Sequence, residues 1–360
     1  MSDHDSEQQR CDSTNTCQQG TKTVKTIRWG MIGCGSVAEV KSGPGLYKAG
    51  NSTLLAVSSA HPERARSYAE RHGVPRAHAT AAALLADPDI DAVYIATPPS
   101  SHRELAIAAA AAGKHIYLEK PMAMRFAECQ EVIDACARHG VRLFVAYYRR
   151  AMQRFVQVKR WLEEGRIGQV LAVRLVQHQP PAPEELSPAS LPWRVRPEIA
   201  GGGKFLDMGV HALDMFDFWF GPIVEVRGIA VNQRGLYPAE DTVAAIWRHA
   251  GGVPGSGFWC FVSAAERDEV QILGTEGSIL LEFFSDRPLS LIGAGGEQRV
   301  DIANPPHVQQ PFIQTIVDEL NGVGRCPGDP ASAARTSRIA DEVLAGWRSR
   351  LLPTTGCAGR

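Results

Sequence analysis

Three stretches of this chain carry the residue types that chemistry uses, and they lie far apart in sequence. The first, Thr26-Ile27-Arg28-Trp29-Gly30-Met31-Ile32-Gly33-Cys34-Gly35-Ser36-Val37-Ala38, sets two glycines directly after an apolar run. The others, Glu119-Lys120-Pro121 and Asp207-Met208-Gly209-Val210-His211, supply a lysine, an aspartate and a histidine. Gly33-x-Gly35-x-x-Ala38 reads as a cradle for the pyrophosphate of a dinucleotide. Gly33 permits the tight turn, Gly35 lets the backbone approach the phosphates, and the small Ala38 lets the helix pack close to its sheet. The helix N-terminus at Ser36 and Val37 then faces the phosphates. Lys120, Asp207 and His211 are groups that move protons. A cofactor that carries hydride, beside groups that carry protons, means alcohol–carbonyl redox chemistry.

The second strand ends Ala56-Val57-Ser58-Ser59-Ala60-His61. An NAD enzyme usually places Asp or Glu there to accept from the ribose hydroxyls. No acid stands there. Ser58 and Ser59 can donate to a 2′-phosphate, with His61 and Arg64 close enough to help, so NADP is slightly favoured over NAD. Ordinary strand-end serines are the plainer alternative. Thr97, Pro98 and Pro99 end another strand on the same carboxyl edge, where they should lie beside the nicotinamide half, and Glu119 and Lys120 follow a third. His102, near the start of a helix, reads as a capping or surface residue.

Lys120 at that edge can polarise a substrate oxygen or tune a neighbouring group through its charge. Asp207, His211 and Asp214 are spaced i, i+4 and i+7, which puts them on one helix face. An Asp beside a His fixes its tautomer and tunes it toward neutral pH. On this feature alone, a capping Asp207 with a satisfied core His211 is the commoner arrangement. Gly201-Gly202-Gly203 just before suits a close backbone approach to a ligand. Two acids and one His do not complete a metal shell, so no metal is expected. Tyr148 and Arg149 fall at the domain junction, where a substrate cleft forms. Arg150 there reads equally as an interdomain structural arginine. Trp193 can stack on a sugar ring or anchor its loop, with Arg194 beside it.

The elements that must position these groups follow from periodicity. From residue 25 to 147, short apolar runs alternate with helical patterns: strands over Ile27–Ile32, 53–58, 92–96, His115–Leu118 and 142–146, and helices over 36–48 (interrupted by Gly43-Pro44-Gly45), Pro62–His72, 103–112 and 125–139. That alternation specifies a Rossmann-type doubly wound parallel sheet. Beyond a helix over 152–164, a strand over 170–177, a proline-rich surface loop over 179–198 and a helix over 204–220, strands follow one another without helices. They fall at 242–247, 257–262, 268–273 and 278–284, which implies a mostly antiparallel sheet. Helices over 308–321 and 331–348 close the chain. The fold class is therefore α/β, with a second, α+β domain over residues 148–360.

At 360 residues and a net charge of −1, the chain can bury two cores and has no bias toward nucleic acid or a membrane surface. No apolar run reaches a membrane span. Residues 1–24 are polar and read as a disordered tail without a secretory signal. The eight cysteines, none in a Cys-x-x-Cys pair, read as reduced, in a cytoplasmic protein.

Gly33-x-Gly35-x-x-Ala38, Ala96-Thr97-Pro98-Pro99-x-x-His102, Ala112-Gly113-Lys114-His115-x-x-x-Glu119-Lys120-Pro121 and Gly201-Gly202-Gly203-x-x-x-Asp207-x-x-x-His211-x-x-Asp214 together resemble the glucose–fructose oxidoreductase / inositol dehydrogenase / rhizopine-catabolism family (Gfo/Idh/MocA). The resemblance covers nearly everything after Lys25. It implies that Lys120, Asp207 and His211 surround the reacting carbon. It also implies an open sheet in the second domain that pairs the chain into homodimers or homotetramers. The expected activity is NAD(P)-dependent oxidation or reduction of a sugar, cyclic polyol or related hydroxylated ring. His211 would move the hydroxyl proton, Asp207 would orient His211 and the substrate, and Lys120 would polarise the oxygen. A glycosidase or lyase that recycles tightly bound NAD is one alternative. A cofactor-binding regulator is another, against which the intact set of three argues. Ser58-Ser59 departs from the family, many of whose members carry an acid or an arginine there.

Overall fold

The structure, a computed structural model, describes residues 24–351. The expected polar tail, apart from Val24, lies outside the described residues, as do Cys11 and Cys17. Among the described residues no helix is long and apolar enough to cross a membrane.

Six strands form the first sheet: β1 (Ile27–Ile32), β2 (Ser52–Ser58), β3 (Arg76–His78), β4 (Ala92–Ile95), β5 (His115–Leu118) and β6 (Leu143–Val145), in the order β3-β2-β1-β4-β5-β6. All its pairings are parallel. The strands β4 and β6 are buried at every position, which is why they read as continuous apolar runs rather than alternating ones. Helices α1 (Gly43–Lys48), α2 (Pro62–His72), α3 (Ala81–Leu85), α4 (His102–Ala111) and α5 (Phe126–Arg138) connect them. The strand order reverses direction between β1 and β4, and that switch point opens a crevice at the carboxyl ends. Register brings those ends together. Ile32 pairs with Ser58 and Ile95, and Ile95 pairs with Leu118. The next residues continue the ladder: Gly33 N donates to Ser58 O at 2.8 Å, Ala96 N to Ile32 O at 2.8 Å, and Glu119 N to Ile95 O at 3.0 Å.

Two details differ from the sequence reading. The helix after β1 is not broken at Gly43-Pro44-Gly45. A π-helical turn, Ala38–Ser42, passes directly into α1. The glycines there serve close packing: a Cβ on Gly43 would meet the Tyr68 hydroxyl at 2.1 Å, and one on Gly45 would meet Ile313 at 2.7 Å. The short β3 and α3 have no counterpart in the sequence pattern. Asp87 secures them by accepting from Arg76 and pairing with His78, contacts that no local periodicity announces.

After α6 (Gln153–Glu163), eight strands form the second sheet: β7 (Val170–His178), β8 (Ile223–Val231), β9 (Thr242–His249), β10 (Pro254–Cys260), β11 (Arg267–Gly274), β12 (Gly277–Leu281), β13 (Leu289–Gly293) and β14 (Gly296–Val300). The order is β14-β13-β12-β11-β7-β10-β9-β8, antiparallel except for β7 with β10. The hairpin β13–β14 is short and its last strand polar, which hid it from apolar patterning. The proline-rich segment after β7 forms short 3-10 turns and then α7 (Pro197–Ala200). The helix α8 (Val210–Phe220) packs against one face of the sheet, with Phe216 stacked on Trp247 at 5.5 Å. The opposite face is open. Register aligns Ile229, Ala244, Phe258 and Val176 in one row across four strands, and Ile229, Ile246 and Phe258 are exposed there.

The last helices tie the two halves together. The helix α9 (Gln310–Leu320) returns to the first sheet, where Gly50 N donates to Gln314 and Tyr117 OH donates to Gln309 at its entry. The helix α10 (Pro330–Leu351) runs along α8 and β8, and its Arg348 donates to Gly201 O. At the junction, Arg150 grips Asp214 through bonds of 2.7–3.2 Å with both partners buried. Asp214 is thus a structural partner of Arg150.

Candidate active site

The switch-point crevice holds a cavity of about 370 Å³ lined by Gly33, Cys34, Gly35, Ser36, Val37, Ser59, Ala60, His61, Arg64, Ala96, Thr97, Pro98, Glu119, Lys120, Trp193, Arg194 and Asp207. Gly33 has φ +104°, and a Cβ there would lie 2.7 Å from Ala96 O. Only glycine closes this turn. A Cβ on Gly35 meets nothing within 4 Å, so the backbone faces open space at the helix N-terminus. That bare backbone is what a pyrophosphate needs. Ser59, His61 and Arg64 line the end beyond β2. Arg64 is exposed and makes no ion pair among the described residues. The nearby Glu39 is engaged: Arg71 and His72 bond it, and the Arg71 guanidinium holds its carboxyl down to about 2.

Two residues expected at the cofactor are elsewhere. Ser58 is fully buried, its hydroxyl has no partner, and it does not line the cavity. Side chains alternate along a strand, and the last residue of β2 points into the fold while Ser59 reaches the cavity. Pro99 is also buried, one residue behind the lining Pro98. His102 is neither a cap nor a surface residue. It is fully buried, with ring nitrogens 2.8 Å from Thr97 O and 2.9 Å from Pro121 O, and so braces the β4 and β5 loops.

At the other end, Lys120 Nζ donates to Asp207 O and to Asp207 Oδ1, each at 2.6 Å. Arg194 Nε lies 3.1 Å from the other carboxylate oxygen, with its guanidinium 4.4 Å over the Trp193 ring. Burial pushes the Asp207 carboxyl up, but the charges of Lys120 and Arg194 outweigh that, and its pKa falls below the usual value. Glu119 beneath accepts from Tyr94 OH and from Gln309 Nε2, both at 2.6 Å. This support fixes the peptide from which Lys120 projects. Gln309 carries no sequence signal, being 190 residues from Glu119 in the chain.

Asp207 forms no hydrogen bond or ion pair with His211. Its carboxylate is taken by Lys120 and Arg194, and it sits on a π-helical turn, Phe205–Gly209, that leads into α8. His211 lies deeper, edge-on to Tyr147, Tyr148 and Phe284, and its Nδ1 has no partner. Burial pushes the imidazole pKa well below its ordinary value, and the charges of Arg149, Lys120 and Lys41 add to this. Tyr148 and Arg149 flank His211 in the buried junction. Trp193 and Arg194 line the cavity. Among the described residues no group of three or more His, Cys, Asp or Glu side chains could hold a metal.

The oxidoreductase family described as an NAD-binding Rossmann fold matches residues 27–147, and the GFO/IDH/MocA C-terminal domain matches residues 155–280. Oxidoreductase P35 of Formosa agariphila is 35% identical over 315 residues, covering 88% of this chain and 97% of that one. The chain belongs to the Gfo/Idh/MocA oxidoreductase family. Within it, myo-inositol 2-dehydrogenase of Thermotoga maritima is 32% identical over 283 residues, 76% of this chain and 80% of that one. A solved levoglucosan dehydrogenase complex with NADH and levoglucosan superposes with a TM-score of 0.79 at 26% identity, covering 90% of this chain and 97% of that one. The family thus joins a parallel Rossmann sheet to a mostly antiparallel one, as this chain does.

A depressed imidazole pKa means that His211 is neutral at pH 7 and stays so as the pH falls through 6.5. An NMR titration comparing wild type with His211→Asn should show no His211 signal titrating at pH 6.5 or above.

Proposed function

We propose that this chain is an NAD(P)-dependent dehydrogenase or reductase of a sugar, cyclic polyol or related hydroxylated ring. The observation that carries this reading is Lys120, whose ammonium is pinned by Asp207 in the same cavity that the glycine turn enters. Sugar and polyol dehydrogenases among the relatives support it. The dinucleotide fits: Gly33, Gly35, Ser36 and Val37 would hold its pyrophosphate, and Thr97 and Pro98 the nicotinamide side. When bound, it supplies the hydride acceptor or donor.

The residues then divide the remaining work. Lys120 spends part of its hydrogen-bonding capacity on Asp207, and an ammonium has three protons. The remaining donor polarises the substrate oxygen. Neutral His211 takes the hydroxyl proton in oxidation and returns it in reduction. Asp207 orients Lys120, rather than His211, and Arg194 keeps that carboxylate ionised. Lys120→Ala should lower turnover by about 10²-fold or more and leave cofactor binding intact by nicotinamide fluorescence. Retained turnover would sink the assignment.

NADP is the slightly favoured cofactor. Ser59, His61 and Arg64 bring donors and a free guanidinium to the end of β2, and Glu39 is already paired. Arg64→Ala should weaken NADPH by about tenfold with NADH unchanged; equal effects on both would remove Arg64 from 2′-phosphate recognition.

We further propose that the open sheet face binds a second copy. Its row of exposed Ile229, Ile246 and Phe258 is the kind of apolar patch that monomers seldom leave bare. Ile246→Arg should shift the assembly to monomer in light scattering, and an unchanged mass would show that the face is not the interface.

A further inference from the structure

The charge balance at the substrate end of the site is one-sided. Among the described residues, Asp207 is the single carboxylate that pairs with Lys120 and Arg194 there. Lys41, exposed on the π-helical turn after β1, adds a charge felt at both Asp207 and His211. The other nearby acid, Glu119, accepts from the neutral donors Tyr94 OH, Gln309 Nε2 and the Lys120 amide, and the two acids are still fewer than the cations Lys120, Arg194, Lys41 and Arg149. An oxidised nicotinamide ring brings one more positive charge.

Arg149 makes the excess local. It is 5% exposed, and a buried cation without an anion is costly. Its neighbour Arg150 shows how this fold satisfies such a group, with three bonds to the Asp214 carboxylate and Asp217 at 3.5 Å. Among the described residues Arg149 has no such partner. It donates to the Tyr148 hydroxyl and to Phe283 O, both at 3.2 Å, and its Nε donates to nothing. Its guanidinium lies 4.6 Å over the Phe284 ring. The carboxylate that feels it, Asp268, accepts from Phe284 N and forms no ion pair with Arg149 within 4.0 Å. Tyr148 and Phe284, which flank Arg149, are also the rings set edge-on to His211. The unpaired guanidinium therefore borders the proton-transfer residue rather than the phosphate cradle.

We propose that the substrate of this site is an acid, a hydroxylated ring or chain bearing a carboxylate such as a uronic or aldonic acid, and that Arg149 receives the carboxylate. This rests on the dehydrogenase reading above and names the substrate class within it. The carboxylate supplies the missing counter-charge, and a planar guanidinium recognises it with directional bonds that a neutral hydroxymethyl group cannot return.

The test is calorimetric binding to wild type and Arg149→Gln, each saturated with NADPH or NADH, using matched pairs: D-glucuronate with D-glucose, D-galacturonate with D-galactose, and D-gluconate with D-glucitol. Cofactor binding is titrated first. Its failure would overturn the dehydrogenase reading and this inference with it, whereas intact cofactor binding isolates the charge preference. The expected result is that at least one acid binds wild type tenfold or more tighter than its neutral partner. Arg149→Gln should bring the two within about threefold of each other by weakening the acid alone. Neutral sugars binding as tightly as the acids, no acid binding at all, or an equal loss of both in the variant would each overturn it. Equal loss is what a merely structural Arg149 paired with Asp268 would give.

Discussion

The contact between Lys120 and Asp207 is the constraint on which the site depends. It joins the carboxyl edge of the first sheet to the entry of the helix that packs on the second, across 87 residues of chain. Desolvation pushes the Asp207 carboxyl toward protonation. Lys120 at 2.6 Å and Arg194 on the far oxygen outweigh it and keep the carboxylate ionised. The ammonium is then fixed in direction beside the glycine turn, where a substrate oxygen can meet it.

Much of the surrounding structure keeps this contact in register. Parallel pairing aligns the ends of β1, β4 and β5. His102 ties two of the loops that follow, and Gln309 links Tyr117 and Glu119 beneath Lys120. From the other side, Arg348 donates to Gly201 O at the glycine-rich entry to Asp207, and buried Glu185 pairs with buried Lys204 at 2.7 Å to hold the proline-rich segment that carries Arg194. Preorganised polar groups of this kind act at full strength because they need no rearrangement when charge develops.

The glycine turn, the strand ends and the lysine that follows β5 were legible because their meaning is local. Gly33 must be glycine for its φ, and Gly35 leaves bare backbone facing open space. The parallel sheet was legible because β4 and β6 are apolar throughout and β1 and β5 depart from it only at Arg28 and His115. Partnerships across the chain were not legible. Spacing paired Asp207 with His211, but Lys120 and Arg194 compete for the carboxylate and win as full charges at short range. Ser58 and Ser59 were read alike, although strand alternation sends one into the core. His102 reads from the sequence as a capping or surface residue because its carbonyl partners, Thr97 and Pro121, belong to loops that only the folded sheet brings together.

In the proposed reaction Lys120 and Asp207 work as one unit in the chemical step. A double-mutant cycle in kcat/KM with Lys120→Met, Asp207→Asn and the double variant measures this directly, with cofactor binding followed in each. Coupled groups predict a double variant scarcely slower than the worse single variant. Losses that multiply would show that the two act independently and would contradict the coupling.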